Sequence, residues 1–244
     1  MAELRARIGL IIPSSNRLTE PHFNRYAPEG VQVNVTRLRM TGAHRVPLLD
    51  LQPKIAEAAQ LLADASCDVI VFHCTASSTE AGRAGEAQVL DTIRTATGRQ
   101  ATTTGTALLE ALAALDARRL VTLSPYLEEM SAREAGFLEE AGLEVIRDRS
   151  LNLAGSDEYL SVTPADWLRL IQEESDPRAD AYLLSCTNIH SLDIIEAAER
   201  STGKPVVASN QATLWTCLRM CGLEDRVPGL GRLFDLRAVA AAPA

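Results

Sequence analysis

The sequence predicts an α/β fold of two pseudo-symmetric lobes, each a parallel four-stranded sheet flanked by helices, with the candidate active site in the cleft between them. Three observations lead there. Short β-branched runs alternate with longer segments of helical periodicity, the pattern of parallel strands joined by crossover helices. Strand ends in the first half recur in the second half in the same order, which an internal duplication explains most simply. The 244 residues, 46% hydrophobic and 23% charged, suffice for two half-size lobes that share a site.

Strands are expected at Ile8 to Ile12, Val31 to Leu38, Val69 to His73, Leu120 to Ser124, Leu143 to Arg147, Ala181 to Ser185 and Val206 to Ser209. Each ends in small, polar or proline residues, the end at which α/β proteins hold ligands. Apolar residues at i, i+3, i+4 spacing predict helices over Leu51 to Ala65, Ala84 to Thr97, Thr106 to Leu115, Tyr126 to Ala141, Ala165 to Glu174, Ser191 to Thr202 and Thr213 to Cys221. Across the halves, IGLIIPSSN matches LVTLSPYLE, DVIVFHCTASS matches AYLLSCTNIHS, and ATTTGTALLEAL aligns loosely with VVASNQATLWTCL. Cys74 follows Pro13, and Cys186 follows Pro125, by the same 61 positions. The lobes are therefore expected over 1–110, carrying Cys74, and 111–211, carrying Cys186. Residues 212–244 are expected to form a crossover helix and tail that return to the first lobe.

A formal charge of -8 with acidic and basic residues interspersed argues against a nucleic-acid or acidic-membrane surface. The start of the chain reads as neither a signal peptide nor a membrane span, so the expected location is the cytoplasm. Five cysteines, without CxxC or Cys/His metal spacing, are expected to be free thiols with no metal site. No glycine-rich phosphate loop follows a strand, and no cofactor is predicted. A homodimer is the default expectation.

Two cysteines stand at equivalent positions, each directly after a hydrophobic strand and directly before a threonine: His73-Cys74-Thr75 and Ser185-Cys186-Thr187. The thiolate is the reactive form of cysteine, and backbone N–H groups at a strand-to-helix turn lower a thiol's pKa and bind anions. If the lobes face each other, a planar carbon between them meets one sulfur on each side. Such a pair could isomerise a substrate through covalent addition, racemise an amino or hydroxy acid, or decarboxylate with one sulfur as proton donor. A non-catalytic protein that binds small acids is the reading from another class, and the matched cysteines argue against it. Cys67, Cys217 and Cys221 lie in or beside helical stretches and read as small core residues. His73 alternates with Cys74 and so points to the other face of its strand, while His190 reads as an exposed residue at a helix start.

At these positions the sequence resembles the maleate cis-trans isomerases and arylmalonate decarboxylases of the aspartate/glutamate racemase superfamily. The resemblance runs from Ile8 to Asp235 and rests on Pro13-Ser14-Ser15-Asn16, the two Cys-Thr elements and Pro125-Tyr126. Pro205-Val206-Val207-Ala208-Ser209-Asn210-Gln211 and the closing Gly231-Arg232-Leu233-Phe234-Asp235 strengthen it. It implies a cofactor-independent isomerase of a small dicarboxylate, with Cys74 adding to the alkene and Cys186 handling protons on the opposite face. It implies also that Asn16 and Tyr126 hold the substrate carboxylates. An asparagine that the isomerases place after the fifth strand has no clear match, since Ser156-Asp157 stands there and Asn152 lies a few residues early. In the decarboxylases the first cysteine position is glycine and a glycine pair follows the second cysteine. Here those positions are Cys74 and Thr187-Asn188, which argues against a strict decarboxylase.

A dicarboxylate brings two negative charges, yet Arg17 is the sole arginine within two residues of these site positions. Neutral donors are therefore expected to bind it: Ser14, Asn16, Thr75, Ser77, Tyr126, Thr187, Asn188 and backbone N–H groups, which stabilise a developing enediolate. Segments 40–50 and 150–160 are expected to close over the site.

Overall fold

The computed structural model describes residues 3–236. Around the first sheet follow β1 (Ala6–Pro13), α1 (Thr19–Tyr26), β2 (Val31–Leu38), α2 (Gln52–Asp64), β3 (Val69–Phe72), α3 (Thr75–Thr79), α4 (Gly82–Thr97), β4 (Gln100–Thr103) and α5 (Thr104–Ala114). Around the second follow β5 (Arg119–Ser124), α6 (Glu128–Glu140), β6 (Glu144–Ser150), α7 (Ser156–Ser161), α8 (Pro164–Glu173), β7 (Ala181–Leu184), α9 (Ile195–Thr202), β8 (Val206–Ala208) and α10 (Ser209–Met220). The strand orders are β2-β1-β3-β4 and β6-β5-β7-β8, and every pairing is parallel.

This order creates the cleft. From β1 the chain steps outward to β2, then returns across the sheet to β3 on the other side. The connections therefore leave β1 and β3 toward opposite faces and open a crevice at their carboxyl ends. β5 and β7 repeat the arrangement. The segments leaving these four ends are Pro13 to Asn16, Cys74-Thr75, Pro125-Tyr126 and Cys186 to Asn188.

Period-2 alternation divides the first sheet between two cores. Ile8, Leu10, Ile12, Val69 and Val71 join the large core shared with the second sheet. Ile11, Ile70 and Phe72 face Ile55 and Leu62 of α2 and Val89 and Ile93 of α4. Every residue of α10 from Ser209 to Leu218 is buried, as expected of a helix enclosed on all sides. It packs along α5 and also touches α1 and β4, so it ties the two sheets together. Gly9 sits mid-strand where α2 crosses close: an added Cβ would lie 3.0 Å from Cys67 Sγ and 3.1 Å from Leu62 Cβ. Gly9→Ala is expected to cost about 1–3 kcal/mol by overpacking. Urea unfolding checks this, and an unchanged midpoint would show that α2 moves away freely.

Among the described residues eight strands form where seven are legible in the sequence. β4 carries threonines in place of an aliphatic run, and its backbone is extended by pairing with β3. Among the described residues three helices also lie outside the segments expected to be helical: α1, the five-residue α3 and the six-residue α7. The helix expected from Tyr126 begins only at Glu128, so Tyr126 stays in the strand-to-helix turn. α9 begins at Ile195 after a 3-10 turn over Leu192–Ile194, which leaves His190 outside it and half-buried. α10 begins four residues earlier than the periodicity suggests, at Ser209. Among the described residues no helix is long and apolar enough to cross a membrane.

Candidate active site

The carboxyl ends of β1, β3, β5 and β7 open on a single cavity of about 400 Å³. Its wall includes Asn16, Cys74, Thr75, Ser77, Tyr126, Cys186, Thr187 and Asn188. Ser14 is not among them. It extends the β1–β2 ladder by donating its N–H to Leu38 O at 2.7 Å and faces solvent. The turn then brings in Ser15, whose hydroxyl lies 2.9 Å from that of Thr41.

Several of these side chains join the two sheets. Asn16 donates from Nδ2 to Thr187 O at 3.2 Å and to Thr187 Oγ1 at 3.0 Å. Its Oδ1 accepts from the N–H groups of Leu18 and Thr19 at the start of α1. Because Thr187 Oγ1 is already an acceptor, its own O–H is free to donate. Arg17 N–H donates to Asn188 Oδ1 at 2.8 Å, which fixes that amide and leaves Asn188 Nδ2 buried without a partner among the described residues. Thr75 donates to Ser209 Oγ at 2.9 Å, and Ser209 Oγ also accepts Cys186 N–H at 3.1 Å. The Cys74 thiol donates to Ser77 Oγ at 3.4 Å, while Cys186 Sγ accepts Asn188 N–H at 3.3 Å. Cys186 has φ 149°, a backbone angle natural to glycine and strained for any other residue. Such strain persists where the surroundings over-determine it, commonly at functional sites.

A family model described as arylmalonate decarboxylase matches residues 8–234. The chain belongs to the arylmalonate decarboxylase family. Arylmalonate decarboxylase of Bordetella bronchiseptica is 35% identical over 184 residues, covering 74% of this chain and 77% of that one. Maleate isomerase of Nocardia farcinica is 30% identical over 238 residues, covering 93% and 94%. A solved structure of the Nocardia farcinica maleate cis-trans isomerase with a covalently bound succinylcysteine intermediate superposes with a TM-score of 0.85 at 26% identity, covering 94% of this chain and 98% of that one.

In this member of the arylmalonate decarboxylase family, burial governs the thiols. The sequence points to helix-start N–H groups lowering both pKa values, but desolvation outweighs them. Burial raises Cys74 above the usual thiol range, against the opposing effects of the Ser77 hydroxyl and N–H and of Arg45. Burial pushes Cys186 up to about 12, opposed by Asn188 N–H and the Tyr126 hydroxyl and reinforced by Cys74 and Glu134. Cys186 therefore holds its proton in the resting protein. Burial likewise raises Tyr126 well above the ordinary tyrosine range, so both stay proton donors at neutrality. Behind Cys186, Ser185 Oγ lies 2.6 and 2.7 Å from the two carboxyl oxygens of Glu134, whose pKa burial pushes up to about 7.

His73 is fully buried away from the cavity, with Nε2 2.8 Å from Asn210 Oδ1 and Nδ1 3.0 Å from Thr104 Oγ1. Cys67 and Cys217 are buried elsewhere, and Cys221 is half-buried. Asn152 caps α6, accepting Glu128 N–H at 3.0 Å. Ala154, Gly155, Ser156, Asp157 and Tyr159 line the cavity from one side, and Met40, Thr41, Gly42 and Arg45 from another. Arg45, Tyr159 and Met130 are wall residues that carry no motif. Arg45 and Tyr159 lie in the two segments expected to close over the site, whereas Met130 comes from the first turn of α6.

Proposed function

We propose that the protein is a cofactor-independent cis-trans isomerase of a cis-enedioate, of the maleate-to-fumarate type, working in the cytoplasm. The observation that carries this reading is that two sulfurs, one from each sheet, line one cavity. Decarboxylation needs a single proton donor. The succinylcysteine in the Nocardia farcinica structure is the species formed when a cysteine adds to maleate and the neighbouring carbon gains a proton.

Cys74 first gives up its proton to solvent; the thiolate then adds to one alkene carbon, and the π electrons move onto the adjacent carboxylate as an enediolate. Cys186 delivers its proton to the carbon between them, giving a succinyl thioether. The former double bond, now single, rotates. Cys186 then takes the proton back, the double bond re-forms and Cys74 leaves as thiolate, so no proton or electron is gained or lost overall. The Thr187 hydroxyl, Asn188 Nδ2, the Tyr126 hydroxyl and Ser77 supply neutral donors where the enediolate charge develops. Asn16 positions Thr187 from the facing sheet.

Incubation with maleate, with an arylmalonate and with a chiral amino or hydroxy acid in D2O, followed by NMR, tests this reading. The expected result is conversion of the maleate vinyl signal to that of fumarate. Untouched maleate together with CO2 loss from the arylmalonate, or deuterium exchange at the α-carbon of the chiral acid, would replace isomerisation by the corresponding chemistry.

A further inference from the structure

The cavity exceeds what a four-carbon dicarboxylate needs. At about 400 Å³ it falls within the range that encloses drug-sized ligands. The strand ends supply the sulfurs and the neutral donors. The remaining wall includes Met40 and Arg45 after β2, Met130 of α6 and Tyr159 of α7.

Two arginines reach this wall, and they differ in partnership. Arg17 is neutralised by Asp157, with NH2 2.5 Å from Oδ1. Among the described residues Arg45 has Glu80 Oε1 at 3.9 Å, an oxygen equally distant from Arg133, and the Met130 sulfur at 3.6 Å. Its guanidinium is thus held beside the cavity by a thioether and half of one carboxylate, with donors to spare for a planar anion. The charge is felt inside the cavity, where it lowers the pKa of both Cys74 and Tyr159 against the dominant effect of burial.

We propose that the preferred substrate is a cis-enedioate bearing a third, carboxylate-ended arm, which pairs with Arg45. The inference rests on the isomerase reading above and extends it to substrate class. The arm takes no part in bond making, and addition, rotation and elimination proceed as for maleate. A neutral alkyl or aryl arm lying along Met40 and Met130 is the competing outcome.

The test measures kcat/KM for maleate and for cis-propene-1,2,3-tricarboxylate with the wild-type chain, Arg45→Met and Arg45→Lys. Loss of the Arg45 charge also affects Cys74, but that effect acts on both substrates and cancels in their ratio. The wild type is expected to favour the tricarboxylate. Arg45→Met should lower the tricarboxylate-to-maleate ratio about 10- to 100-fold, the worth of a charge-assisted hydrogen bond, chiefly through KM. Arg45→Lys should restore part of it. An unchanged ratio in Arg45→Met, a wild type that isomerises maleate and not the tricarboxylate, or a preference for a 2-alkyl or 2-aryl enedioate would each overturn the inference and leave the isomerase intact. Turnover of neither acid by the wild type would instead overturn the isomerase reading and the inference with it.

Discussion

Replacing Cys74 by alanine is expected to reduce maleate isomerisation by at least about 10⁴-fold, because the other thiol on the cavity wall, Cys186, is the proton donor on the opposite side. Cys67 lies against Gly9 under β1, and Cys217 is buried in α10, so neither can substitute. Cys186→Ser should behave differently. It keeps the nucleophile, leaves solvent to supply the proton that completes the adduct, and removes the thiolate that would take a proton back, so turnover falls while a succinyl thioether accumulates on Cys74. Intact-protein mass spectrometry would show a gain of one maleic acid, and peptide mapping would place it. Cys186→Gly adds an independent reading: glycine adopts the φ of 149° without strain. That variant should lose turnover yet resist urea better than Cys186→Ser. Turnover that survives Cys74→Ala, or an adduct mapped to Cys186, would reverse or remove the assigned roles.

How much of this was legible in the chain depends on which force sets each feature. β1 and β3 are continuous aliphatic runs buried on both faces, so hydrophobic pattern alone announces them. The matched Cys-Thr elements are legible because duplication repeats a local strand end. β4 was hidden because Gln100 to Thr103 has no aliphatic signal and is made a strand by its neighbour. Ser14 and Ser15 could not be told apart, since a single turn decides which of them faces the cavity. Segment 40–50 is expected over the site, but Arg45 is not singled out within it: the segment is irregular, and tertiary folding decides which of its side chains reaches the cavity. The thiols show competition between two known effects. Sequence proximity reveals the N–H groups that lower a pKa, whereas the burial that raises it is a property of the assembled lobes.

Acid is expected to destabilise the fold between pH 6.5 and 4, and a buried polar chain behind the site sets that window. Asn210 links two histidines: its Oδ1 lies 2.8 Å from His73 Nε2, and its Nδ2 lies 2.7 Å from His22 Nδ1. That arrangement makes His73 Nε2 a donor and His22 Nδ1 an acceptor. Thr104 Oγ1 lies against His73 Nδ1 and its hydroxyl can turn to accept, so protonating His73 buries a charge, whereas protonating His22 Nδ1 also sets it against the Asn210 amide N–H. Burial accordingly lowers both pKa values to about 4. For His22 the Coulomb effects of His190 and Arg25 add to burial and that of Asp193 opposes it, while for His73 the Asn210 hydrogen bond opposes it. The unfolded chain binds these protons near pH 6.5 and the folded one does not, so stability falls as pH drops through the window, by about 3 kcal/mol per histidine. Glu134 acts in the opposite sense. Its folded pKa of about 7 lies above the unfolded value, so its ionisation costs stability as pH rises from about 4.5 to 7, again by about 3 kcal/mol. The wild type should therefore lose less across the window than the two histidines alone would take, because Glu134 offsets part of their effect. Glu134→Gln keeps a partner for Ser185 and removes the compensation. It should be the more stable protein at pH 8 and converge on the wild type near pH 4.5, with a correspondingly steeper decline. Urea unfolding at half-unit pH steps resolves the two curves. Parallel profiles would show that Glu134 is ionised throughout, and a flat wild-type and variant profile would show that the histidines titrate near their ordinary value.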